Sequence, residues 1–562
     1  MTNKNPVWRA LISVRPAIIA IVVFSLAANM LLFVVPLYML QIYDRVITSR
    51  NQQTLIALSL VAALLLLVFV IFEALRTRIL VRVGLLFDTQ VAGAIFEAAH
   101  VDQMSAPHRA NGQIIRDVDV FRDFLTGSGL LALCDAPWFP IFVGAAFLLH
   151  PLYGWVALGG SVVIVGLTLL NELTTRRQLR SAGMANAAAM QHAQGALRNA
   201  EVSRAMGMMG AIRTSWMLRH DEQMTQQAGA SDRAGLLVAA TRGARLMLQI
   251  AILGAGAFLA IRREASAGSI VAASILIGRA LQPIEVLVGQ WRGFVAARGA
   301  LGRIRQALQA SSAAVIRERL PTPDGRISLE HVTVIPPGGS IATLHDVSFE
   351  VAAGEVVAVI GASAAGKSTL LRAMIGLWPT SAGTVRLDGH DIVQWDPAHL
   401  GSHVGYLPQT VDLFAGSVLQ NIARFDEADI ATVIATARQA GCHEVIQLLP
   451  GGYNTQIGEG GKVLSGGQRQ RVGLARALYG NPRIVLLDEP NAHLDKDGEQ
   501  ALAAAIERLR RSGTTTVVVT HAPSLLSVAD RILFLREGRI ESVGPRKTMM
   551  PPQLLPKGPV GH

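Results

Sequence analysis

Residues 361–368 read Gly-Ala-Ser-Ala-Ala-Gly-Lys-Ser, with Thr369 next. A glycine, four residues, Gly-Lys and a hydroxyl residue is a pattern with a mechanism. Main-chain N–H groups of such a loop, followed by a helix N-terminus, converge on an anion. Lys367 adds a positive charge for the outer phosphates of a nucleoside triphosphate, and the Ser368 hydroxyl can ligate Mg2+. Gly361, Ala362, Ser363, Ala364, Ala365, Gly366 and Thr369 complete the candidate phosphate cradle. The pattern needs a strand before it and a helix after it. Val356–Ile360 is short, apolar and β-branched, and Leu370–Ile375 suits a helix. A glycine-rich turn with an ordinary lysine could carry the same letters, so the partners of the loop matter.

Four partners follow the loop in the chain. Ile484–Leu487 is a second apolar strand that ends in Asp488-Glu489. Asp488 is placed to hold Mg2+, directly or through water, and Glu489 to polarise an attacking water as general base. Gln409 follows Val404–Pro408 on a loop that can reach both metal and water. His521 ends the strand Thr516–Thr520, where it can contact the terminal phosphate. Leu464-Ser465-Gly466-Gly467-Gln468 precedes a helical run through Leu478, and it makes a second anion-type helix start. Alone, a loop glutamine or a strand-end histidine is usually structural; the joint order and spacing change that reading. Two anion sites in one chain are most economically explained by two copies facing each other, each completing the other's site.

The elements that must position these residues occupy the second half of the chain. Of 562 residues, 51% are hydrophobic and 16% charged, and the mean hydropathy is +0.38. That is too apolar for an ordinary soluble enzyme of this length. Six apolar runs predict membrane spans near 17–40, 55–72, 129–149, 152–170, 244–261 and 268–289, and the first reads as a retained span rather than a cleaved leader. Arginines crowd 73–126 and 171–241, which places both long segments in the cytoplasm; Arg262-Arg263 runs against that rule. The net charge of +11 follows from such flanking arginines as readily as from nucleic-acid binding, and the apolar runs favour the membrane. Cys134 and Cys442 are too few for a disulfide framework or a metal cluster. Pro137 and Pro140 predict a kink in the third span. Asp135, Arg242, Arg245, Arg279 and Glu285 fall in or near spans, where charges imply either interhelical pairing or a polar path. The segment 311–324 reads as a linker, 325–544 as an α/β domain, and 545–562 as a flexible tail.

The phosphate loop, Gln409, the 464–468 signature, Asp488-Glu489, Asn491–Asp495 and His521 together resemble the ATPase domain of ABC transporters. The resemblance implies a polytopic α-helical membrane domain of exporter type, with six transmembrane helices, fused to an α/β P-loop ATPase. It also implies head-to-tail dimers in which Ser465, Gly466, Gly467 and Gln468 of one copy close on the phosphates of the other. Ser368, Gln409 and Asp488 would serve Mg2+, and Glu489, Gln409 and His521 the hydrolysis of ATP. Glu459, within Thr455–Gly461, resembles an acidic residue thought to face the membrane domain. Leu37–Val46, Asp135–Pro140, Gly278–Pro283 and Gln290–Arg292 further resemble the protease- and lipase-exporting branch of type I secretion transporters. That implies a multi-pass protein of the bacterial inner membrane, working as a homodimer with a periplasmic membrane-fusion adaptor and an outer-membrane channel. Its substrate would be an unfolded secreted protein with a C-terminal signal. An exporter of lipids or small amphiphiles shares every ATPase motif and is the alternative. A nucleic-acid-acting ATPase does not account for the apolar runs, so no nucleic-acid partner is expected. The short N-terminus predicts no cysteine-peptidase domain. Two features depart from the family pattern. Val332–Pro337 holds no aromatic residue to stack on adenine, and Ala364 and Ala365 stand where relatives often carry Gly and Ser.

Overall fold

The computed structural model describes residues 6–105, 112–312, 319–427 and 429–549. Residues 313–318 of the expected linker and residues 550–562 of the expected tail lie outside them. The chain divides into two compact units near residue 313.

The first unit is helical: α1 (Pro6–Leu31), α2 (Val34–Gln41), α3 (Gln52–Ser105), α4 (Gln113–Thr126), α5 (Ser128–Asp135), α6 (Phe139–Leu149), α7 (Pro151–Arg198), α8 (Met209–Ile261), α9 (Ala267–Gly289) and α10 (Trp291–Ser312). Six stretches are long and apolar enough to cross a membrane. Helices α3, α7 and α8 have 54, 48 and 53 residues. A bilayer core needs only about 20 residues at ~1.5 Å each, so all three run far beyond it. The apolar part of α3 leaves Leu60, Leu64, Leu67 and Val70 more than half exposed, as a lipid-facing surface would. Prolines set the breaks. A 3-10 turn at Ala136–Trp138 separates α5 from α6, where the sequence predicted a kink. A π-helical turn, Ile42–Val46, follows α2.

The charges predicted at membrane depth are mostly paired. Arg76 of α3 donates to Asp135 of α5 at 2.7 and 3.2 Å and to the Ser25 hydroxyl of α1 at 2.9 Å. Asn29 of α1 donates to the same carboxylate at 2.9 Å. Glu285 of α9 sits between Arg242 and Arg245 of α8, at 3.4 and 3.2 Å, so it resolves as a pairing between helices. Arg303 forks onto Asp117, both contacts 2.7 Å, and joins α10 to α4. Asp44, in the π turn, accepts from the Gly268 N–H at 2.9 Å and the Ser266 hydroxyl at 2.6 Å. It thereby fixes the start of α9, and a Cβ on Gly268 would lie 2.7 Å from that carboxylate.

The second unit holds two sheets. A four-stranded antiparallel sheet has the order β2-β1-β4-β5, from β1 (Ile327–Val334), β2 (Leu344–Val351), β4 (Ala382–Leu387) and β5 (His390–Asp391). A six-stranded sheet has the order β10-β9-β3-β8-β7-β6, from β3 (Val356–Ile360), β6 (Val404–Leu407), β7 (Ile484–Asp488), β8 (Thr515–Val519), β9 (Arg531–Arg536) and β10 (Arg539–Pro545). It is parallel except for β10. Strands β7 and β8 are buried throughout and β3 nearly so. Sheets covered on both faces require such unbroken β-branched runs. The expected tail starts later than residue 545: Pro545 pairs with Arg531, Arg546–Met549 form a helical turn, and Met549 packs on the core.

Candidate functional site

The loop 361–366 joins β3 to α11 (Lys367–Met374). Two of its glycines are sterically required. A Cβ at Gly361 would lie 2.2 Å from the Leu535 carbonyl oxygen, and one at Gly366 (φ +97°) 2.9 Å from Leu344 and the Thr343 carbonyl. Ala364 holds φ +63° without being glycine, a conformation that costs an L-residue about 1–2 kcal/mol. Buried Lys367 curls over the loop, its Nζ donating to the Gly361 and Ala362 carbonyls at 2.7 and 3.0 Å. Its charge is therefore held at the mouth of the cradle.

Asp488 ends β7 fully buried, and neither carboxylate oxygen has a hydrogen-bond partner. Burial pushes its pKa above the ordinary carboxylate range. The Ser368 hydroxyl, then Arg372, hold it back without making it a full hydrogen bond, Glu489 pushes it up again and Lys367 opposes. A buried carboxylate with two open oxygens and a hydroxyl facing it is the donor set of a hard cation. Gln409 donates its amide N–H to a Glu489 oxygen at 2.9 Å, which leaves its own carbonyl oxygen for a ligand. No group of three or more His, Cys, Asp or Glu that could hold a metal occurs among the described residues. The set therefore fits Mg2+ carried largely by phosphates and water, as that ion prefers. Glu489 has φ +48°, and its N–H donates to the Val519 carbonyl at 3.0 Å. His521 is exposed beyond the end of β8.

The signature opens α12 (Gly466–Leu478). Ser465 Oγ accepts from the Gln468 N–H at 3.2 Å, and the Gln468 side chain accepts from the Ser465 N–H at 2.8 Å, a reciprocal capping box. A Cβ at Gly467 would meet the His493 carbonyl at 2.8 Å. Among the described residues, no hydrogen bond or ion pair links the signature to the phosphate loop. The structure thus gathers Lys367, Ser368, Asp488, Glu489 and Gln409 at the C-terminal end of the sheet and holds Ser465–Gln468 separately.

Sequence reasoning missed the residues that tie these pieces together. Gln470 donates to the Pro490 carbonyl at 3.2 Å, and Arg471 pairs with Asp495 at 2.6 Å. The Thr520 hydroxyl donates to Asn491 at 3.1 Å. A signal was present: Asp495 ends the 491–495 motif already singled out, and Arg471 is an opposite charge in the helix that follows the signature.

A mostly parallel P-loop sheet carrying this strand-end carboxylate pair and a capped glycine signature, in one chain with six membrane-length helices, defines an ATP-hydrolysing membrane transporter. Family comparison makes the assignment specific. Residues 344–492 match the ABC transporter model and residues 18–283 the ABC transporter transmembrane region. The type I secretion system ATP-binding protein PrsD of Rhizobium meliloti is 43% identical over 99% of this chain and 96% of its own length. The chain belongs to the ABC transporters of the type I secretion kind, in which a membrane domain is fused to the ATPase. The cyclolysin secretion/processing ATP-binding protein CyaB of Bordetella pertussis is 29% identical over 96% of this chain and 77% of its own. The toxin RTX-I translocation ATP-binding protein of Actinobacillus pleuropneumoniae is 27% identical over the same shares. A bacterial Atm1-family ABC exporter solved with ATP bound shares the fold, with a TM-score of 0.81 at 23% identity over 95% of this chain and 96% of that one.

Proposed function

We propose that the protein uses ATP to move an unfolded polypeptide across the bacterial inner membrane, as the ABC component of a type I secretion system. The observation that carries this reading is the near-full-length similarity to a type I secretion ATP-binding protein. The working unit is a homodimer, in which Ser465, Gly466, Gly467 and Gln468 of each copy close on ATP held by the other's residues 361–369. A periplasmic adaptor and an outer-membrane channel complete the path, and the substrate carries a C-terminal signal.

In this reading Lys367 and the loop N–H groups bind and orient the phosphates of ATP, the substrate of the ATPase. Ser368, Asp488 and Gln409 hold Mg2+, which supplies charge neutralisation when bound. Glu489 takes the proton of the attacking water. Gln409, hydrogen-bonded to Glu489, orients that carboxylate, and His521 reports the terminal phosphate. Binding of ATP closes the dimer and hydrolysis reopens it.

The test is secretion by cells lacking the gene, complemented with the native chain or Lys367→Ala, using a reporter protein with an intact or deleted C-terminus. Export that depends on both Lys367 and the reporter's C-terminus supports the reading. If the purified transporter's ATPase is stimulated fully by lipid and not by unfolded polypeptide, the lipid-exporter alternative replaces it.

A further inference from the structure

Among the described residues, Arg279 has no acidic partner. Arg76, Arg242 and Arg245 all reach carboxylates, whereas half-buried Arg279 of α9 bonds only Gln282, one turn on, at 3.2 Å. Arg279 and Gln282 form one wall of a cavity of about 220 Å³ whose other walls come from α1, α3 and α5. Asn29, Glu73, Arg76 and Asp135 line the facing side.

That facing side is built and nearly closed. Arg76 is 4% exposed and Asn29 also 4%, both held by the Asp135 carboxylate. The Arg76 Nε, buried, is left without a partner. The Glu73 carboxylate, 40% exposed, touches Arg76 and still has open acceptor capacity toward the cavity. On the α9 side, Pro283 lies inside the helix. Its missing N–H deprives the Arg279 carbonyl of its usual helical donor. The cavity therefore presents a guanidinium bonded only to an amide, and a carboxylate, within one small space.

Such a mixture does not suit an acyl chain, which would strand every one of these groups at a cost. It does suit an extended peptide, whose N–H and C=O groups alternate and whose side chains enter one at a time. We propose that this cavity seats the polypeptide in transit and that Arg279 selects an acidic side chain there, while Glu73 accepts a main-chain N–H group. The inference rests on the protein-export reading and adds a preferred side-chain chemistry and a place.

The experiment uses the full-length transporter in nanodiscs with a photo-crosslinking residue in place of Val286, which also lines the cavity. Short glycine-serine peptides carrying a central Asp, Asn or Lys are the probes. The native arginine should capture the Asp peptide about tenfold better than the Asn peptide, the size expected of one charge-assisted contact. Arg279→Lys should keep that order, Arg279→Gln should flatten it, and Arg279→Glu should reverse it in favour of Lys. Equal capture of Asp and Asn peptides by the native protein, or no reversal in Arg279→Glu variants that keep the native melting profile, overturns the assignment of Arg279. Crosslinks to lipid alone overturn it as well. If none of the three peptides is captured, the cavity is not a peptide seat, whereas the export reading stands or falls with the secretion test above.

Discussion

Replacing Asp488 with Asn should stabilise the nucleotide-free protein while abolishing its response to Mg-ATP. The carboxylate is 0% exposed, with both oxygens unpartnered. An unsatisfied buried polar group costs about 1–3 kcal/mol, and more when charged. An amide there can donate to the Ser368 hydroxyl and carries no charge, so Asp488→Asn should recover roughly 1–3 kcal/mol. For a domain of this size each kcal/mol corresponds to about 2–4 °C, which predicts a rise of several degrees in Tm. The pH dependence has a definite sign. The folded pKa of Asp488 is raised, mainly by burial, so the folded state binds more protons than the unfolded one. Its penalty is absent below the ordinary carboxylate pKa, grows as pH climbs to the raised value, and is complete above it. The native protein should thus lose stability across that window, and Asp488→Asn should lose less. Scanning calorimetry of the detergent-solubilised full-length protein at several pH values, with and without Mg-ATP, reads both effects. A variant melting below the native protein without nucleotide, or keeping a Mg2+-dependent shift, would refute the reasoning.

Three further outcomes are expected. Glu489→Gln should bind ATP yet hydrolyse it at least about 100-fold more slowly, measured by single-turnover assay; robust steady-state turnover would remove Glu489 from its role as base. Ala364→Gly should relieve the left-handed strain of about 1–2 kcal/mol, partly offset by the ~0.4–1 kcal/mol of extra unfolded-state freedom, for a net rise of a degree or two in Tm; an unchanged or lower Tm argues that the loop relaxes. Arg76→Met should cost about 3–5 kcal/mol by leaving buried Asp135 without a counter-ion, and Asp135→Leu less, since Glu73 still pairs with Arg76 at 3.1 Å, while the double variant recovers most of the Arg76→Met loss; additive losses in melting and in monodisperse yield would show that the two do not act as a pair.

The ATPase site was legible because its chemistry is local in sequence. A loop flanked by a strand and a helix announces itself, and Asp488-Glu489 and His521 sit at strand ends that β-branched runs reveal. The membrane helices were legible for the same reason, since about 20 apolar residues in a row leave few alternatives. Pairings between distant helices were not. Asp135 meets Arg76 across 59 residues, and Asp44 meets Gly268 across 224; no periodicity within either segment encodes such contacts. Glu285 and Arg279 lie six residues apart on one helix and looked equivalent from sequence. Only packing separates them, placing two arginines of α8 beside Glu285 and none of its carboxylates beside Arg279. Backbone strain was equally hidden, because an alanine at φ +63° reads like any other alanine.

The geometry of the signature supports the proposed homodimer. An α-helix leaves its first N–H groups without internal partners. At α12 the capping box occupies two donors, those of Ser465 and Gln468, by mutual side-chain bonds. The N–H groups of Gly466 and Gly467 remain, together with the proton of the Ser465 hydroxyl, whose oxygen already accepts. These three donors lie at a helix start whose dipole favours an anion, and among the described residues no acceptor from the same chain's phosphate loop satisfies them. At the other site, Lys367 and the loop supply donors to one side of a triphosphate only. Donors without an anion and an anion cradle with one wall are complementary deficits. A head-to-tail pairing of two identical chains remedies both at once, twice over, with no additional residue. The proposed homodimer is therefore the arrangement in which every polar group that the sequence places around the nucleotide finds a use.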